Sequence, residues 1–114
     1  MIDCNAYEKE ILGYLKCTHA VIKKMLDAGQ QAEALHLLER CQGYGICLGR
    51  QIEKEELKAG RKTTEIISLL EDYCELVYQI YEEIRIFQNV DGDTVHNRLA
   101  KELIGIEKLL RNEK

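Results

Sequence analysis

Apolar residues in this chain recur at alternating steps of three and four, the period of a helix, in four separate stretches. The clearest lies within 64–88, where Ile66, Leu70, Tyr73, Val77, Ile80, Ile84 and Phe87 form one seam and nothing breaks a helix. At about 100° per residue, Ile67, Cys74 and Tyr81 flank the seam on one side, Leu69 and Leu76 on the other. Apolar side chains therefore cover roughly half of the circumference, against the stripe of about 100° that a surface helix needs. Such a helix touches two or more neighbours, or one neighbour and a partner chain.

The first stretch places Cys4, Tyr7, Ile11, Leu15, Thr18, Ile22 and Met25 on one face, with Asp3 as N-cap and Gly29 as a left-handed C-cap. Glu8, Lys9, Lys16 and Lys23 fall off the seam. The second carries Ala34, Leu38, Cys41, Gly45, Leu48 and Ile52, flanked by Leu37 and Tyr44. Gly43, Gly45 and Gly49 each cost up to about 1 kcal/mol against alanine in a helix interior. The seam nevertheless stays in phase through them, which predicts an unbroken helix whose small residues admit a neighbour such as Tyr73. A kink or a ligand contact is the alternative. Gly60 with Thr63 or Thr64 marks the next break, and Asn89, Val90, Asp91, Gly92 and Asp93 form a turn in which Asp93 is the expected cap. Val95, Leu99, Leu103, Ile106 and Leu110 line the last face, with Ile104 and Leu109 near its edges.

Four amphipathic helices, about 3–28, 30–58, 63–89 and 93–112, joined by short connections, predict an all-α, antiparallel up-down-up-down four-helix bundle. The 114 residues suffice for one such domain, spanning 1–114, and not for two of ordinary size. The tetratricopeptide-like flavour of AGQQAEALHLLERC has no matching period elsewhere. No proline, no tryptophan and one phenylalanine agree with helices rather than a sheet.

A formal charge of −4 without a basic run lacks the footprint of a nucleic-acid binder. The third helix is acidic and the fourth carries Arg98, Lys101, Lys108 and Arg111, which reads first as complementarity between helices, with a docking face for a basic partner as the alternative. Five cysteines without a CxxC pair and a charged N-terminus point to the reducing cytoplasm. The longest aliphatic runs fall far short of the roughly 20 residues a membrane span needs.

Candidate chemistry is sparse. Glu33 and His36 form the Glu-x-x-His pair that di-metal bundles use, and they are the metal-binding or redox alternative. Their phase is wrong: measured from Cys41, His36 lies about 140° away and Glu33 about 80°. Asp93 and His96 offer only an Asp variant. Cys17 and His19 point to different faces, so they make a poor nucleophile and base pair. GYGICLG lacks the preceding strand and the Gly-Lys-Ser/Thr of a phosphate loop. Glu71, Glu75 and Glu82 share an outward face without a pocket for acid or base work. Tyr78 and Ile86 stand among these acids, so Tyr78, Ile86, Glu75 and Glu82 are the candidate partner-binding residues, against incidental exposure.

EALHLLERCQGYGICLGRQIEK and SLLEDYCELVYQIYEEI resemble a helical region near the start of certain bacterial proteins, where it precedes a CDP-glycerol glycerophosphotransferase-like or glycosyltransferase-like part. The resemblance runs from about residue 35 to 110, and LEDYCELVYQIYEE is its most specific element. It implies an accessory N-terminal domain, with any transferase chemistry outside this chain and no catalytic residue to carry over. The expected function is a non-catalytic interaction or oligomerisation module that binds a protein partner or a second copy, without nucleic acid, cofactor or small-molecule ligand.

Overall fold

The computed structural model describes residues 4–59, 64–87 and 90–112. Asp3, Gly60, Thr63 and Asn89, expected to cap or turn, lie outside the described residues, as do the side chains of Cys4, Tyr7, Thr64, Leu110 and Arg111. The elements are α1 (Cys4–Asp27), α2 (Gln31–Ala59), α3 (Thr64–Phe87) and α4 (Gly92–Asn112). α1 packs on α2 and α4, and α3 does the same from the opposite corner, giving a four-helix bundle of 46 × 22 × 19 Å.

Contacts between neighbours run in opposite chain directions. Lys16 reaches Glu107 at 2.7 Å and Lys23 reaches Asp93 at 3.2 Å, while Gly45 faces Tyr73 and Gly49 faces Leu70. Across the third pairing, Leu69 lies against Gly105 and Glu83 pairs with Arg98 at 2.7 Å. The flanks of α3 divide accordingly, Cys74 and Tyr81 toward α2 and Leu69 toward α4. Two neighbours within the chain account for its wide apolar surface.

α2 is continuous through its glycines, and Gly45 shows why small residues are needed. A Cβ there would stand 3.0 Å from Cys74 Sγ and 3.4 Å from the Tyr73 ring. Tyr73 is fully buried against this notch. α1 ends in a Schellman motif: the Gln30 amide donates to the Met25 carbonyl at 2.8 Å, and the Gly29 amide to Leu26 at 3.1 Å. Gly29, at φ +76°, takes the left-handed position as expected.

Three expectations are corrected. α4 is capped by Asp91 and not by Asp93: the Asp91 carboxylate accepts from the Thr94 amide at 3.1 Å and from its hydroxyl at 2.9 Å. Helix α4 starts one residue early, at Gly92, which packs so closely on Lys23 and Asp27 that Asp93 is left to pair with Lys23. On α1 the buried seam residue is His19, while Thr18 is only half-buried and donates to the Tyr14 carbonyl at 2.7 Å. Steps of four then three and of three then four both join Leu15 to Ile22, and the core supplies His19 with a partner. Phe87 is 69% exposed and not in the seam. It is the last residue of α3, where α2 and α4 are at their first turns and offer little wall.

Candidate functional site

At mid-height the bundle closes on a polar layer. His19 of α1, 2% exposed, meets Tyr73 of α3 across the core, Nε2 and Oη 2.6 Å apart. Cys41 of α2 is buried within hydrogen-bonding reach of the same phenol. Two proton placements satisfy the pair: Tyr73 donates to Nε2, or the Nε2 hydrogen goes to the phenol oxygen and frees its proton for the Cys41 sulfur.

Burial, with His96 of α4 adding like charge, pushes the His19 imidazole down to about 4. Burial pushes the Cys41 thiol up to about 11, and the Tyr73 phenol is raised for the same reason. All three groups hold their neutral forms and are closed to solvent. The layer therefore ties α1 to α3 across the core and offers neither an exposed base nor a thiolate.

The second feature lies outside, along the α2–α3 valley. Near its middle the Gln42 side-chain amide donates to the Cys74 carbonyl at 3.4 Å. On one side of that bridge Leu38, Glu39, Gln42, Val77, Tyr78 and Tyr81 enclose a depression of about 180 Å³. On the other, Gly45 and Gly49 hollow the wall, and Ile46, Ile67, Leu70, Cys74 and the charged Arg50, Glu53 and Glu71 complete a depression of about 310 Å³. Burial raises the half-buried Cys74 thiol, with Glu71 adding to the shift. The Glu39 carboxylate, as hydrogen-bond acceptor, raises the Tyr81 phenol.

The structure distributes the sequence candidates unevenly. Tyr78 and Ile86 are exposed, at 57% and 60%. Tyr78 forms a lip of the smaller depression, whereas Ile86, about 12 Å farther along the axis and about 80° around it, lines neither depression. Glu75 is exposed, whereas Glu82 is half-buried and bound by Arg85 at 2.6 Å. Glu33 and His36 are both exposed on α2. Among the described residues no group of three or more His, Cys, Asp or Glu is placed to hold a metal ion.

Sequence reasoning missed His19 as a core group and Ile46 as an exposed one. His19 was signalled by its four-then-three spacing between Leu15 and Ile22. Ile46, 46% exposed beside Gly45 and Gly49, was signalled by an aliphatic residue off the seam next to the smallest ones. Fold and site together define a helical bundle with a closed polar layer in its core and, among the described residues, a hollowed α2–α3 face. Comparison with protein-family models gives no match, and neither do searches among curated proteins and among solved structures.

Proposed function

We propose that the chain is a non-catalytic helical interaction module whose docking face is the α2–α3 valley. One observation carries the reading: exposed Ile46 and Tyr78 border two depressions on the same face, in a bundle whose other polar cluster is closed. Glycine at Gly49 forgoes helix stability, and the nearest atom to a Cβ there is Leu70 Cδ1 at 3.7 Å, so packing within the chain does not demand it. A face shaped for a partner explains it.

The resemblance noted in the sequence adds that the module accompanies a larger transferase-like protein. A reducing, cytoplasmic setting suits the exposed thiols of Cys17 and Cys47. Affinity capture with the wild type and with the Ile46→Ala/Tyr78→Ala variant, together with light scattering over a range of concentrations, tests the proposal. The variant should melt within a few degrees of wild type and lose the bound partner or the self-association. Unchanged partners in a strict monomer would refute it.

A further inference from the structure

The valley's charge identifies the kind of partner it takes. Its lining carries Glu39, Glu53 and Glu71 against Arg50; on α3 the exposed Glu75 adjoins it, and Arg85 stands beside Tyr78 and Tyr81 at its far end, paired with Glu82. The floor between these rims is apolar, with Ile67 and Leu70 beside Gly49. From Glu39 to Glu53 the valley extends about 21 Å, the length of roughly four helical turns.

Resting on the docking reading above, the geometry points to a cationic amphipathic helix of another polypeptide as the occupant of the α2–α3 valley. Its apolar stripe lies over Ile46, Tyr78 and the hollow at Gly49, where a branched aliphatic side chain enters the depression of about 310 Å³. Lysine or arginine residues on its flanks meet Glu39, Glu53 and Glu71. A second copy presenting this same valley would bring the acidic rims together, and nucleic acid or an anionic membrane would be repelled by them.

The test uses the full chain, isotopically labelled, and two synthetic peptides of 18 residues. One has a leucine stripe flanked by lysines; the other replaces every lysine with glutamate. The lysine peptide should bind with amide shifts concentrated at residues 39–53 and 67–81, and weaken when salt rises from about 50 to 300 mM. Glu53→Gln/Glu71→Gln should weaken it at least about fivefold, and Ile46→Ala, which leaves the charges in place, at least about threefold. Equal binding of the glutamate peptide would overturn the basic partner and leave the docking face standing. Shifts confined to Asp72 and Glu75, or scattered over α1 and α4, would overturn the site. Binding of neither peptide would overturn both.

Discussion

The buried pair of His19 and Tyr73 gives the account its most quantitative test. Tyr73→Phe removes one oxygen and little volume, but leaves the imidazole Nε2, now 2.6 Å from its partner, unsatisfied in a closed core. Loss of that bond with the polar group still buried destabilises by about 1–3 kcal/mol. His19→Leu/Tyr73→Phe removes both partners and should recover most of the loss. The pH dependence has a definite sign. In the unfolded chain an imidazole titrates near 6.5, whereas His19 in the fold stays neutral down to about 4. As pH falls the unfolded state takes up a proton first, so this stability is fully present above about 6.5 and is lost progressively toward about 4. That gap corresponds to roughly 3 kcal/mol. Urea unfolding of wild type and both variants at pH 7.5, 5.5 and 4.5 measures it. The gap between wild type and the double variant should narrow or reverse as pH falls, because only wild type carries His19. A Tyr73→Phe variant within about 0.3 kcal/mol of wild type, or a gap independent of pH, would refute the reasoning.

The glycines separate into those a side chain would improve and those it would disrupt. Nothing lies within 4 Å of a Cβ at exposed Gly43, so Gly43→Ala should stabilise by about 0.5–1 kcal/mol in thermal melts. Gly45→Ala should fall at least about 1 kcal/mol below it, because Cys74 Sγ stands 3.0 Å from the added methyl. Gly92→Ala meets Asp27 and, at 2.9 Å, the Lys23 carbonyl, and should destabilise by about 1–3 kcal/mol, read as a shifted urea midpoint. Hydrogen bonds from Thr94 hold the Asp91 carboxyl below the usual carboxylate range. Asp91→Ala should speed amide exchange in the first turn of α4 at neutral pH, with the difference from wild type fading as pH falls through the lowered pKa.

Much of the fold was legible because helical phase is a local property. Ile66, Leu70, Tyr73, Val77, Ile80 and Ile84 are all buried, and the seam through Cys41, Gly45 and Leu48 keeps its phase past three glycines. What escaped depends on a second element. His19 is tolerated in the core because α3 presents a phenol to it, which no property of α1 reveals. Phe87 fits the seam by number, but a seam buries a residue only where a neighbour stands at the same height. Asp91 and Asp93 both suit a cap, and the close approach of Gly92 to α1 decides between them. The candidate face was half legible. Tyr78 follows from phase, whereas the hollow beside it needs Leu38, Glu39 and Gln42, and the larger one Gly45, Ile46 and Gly49, all on a different helix.

The central claim is that one lateral face of this bundle is the docking surface. A benzophenone amino acid placed in turn at Ile46, Tyr78 and the equally exposed Ile104 of α4 probes it in living cells. The account predicts one adduct of the same mass from Ile46 and Tyr78 and none from Ile104. Equal adducts from all three positions, an adduct from Ile104 alone, or none from any would contradict it.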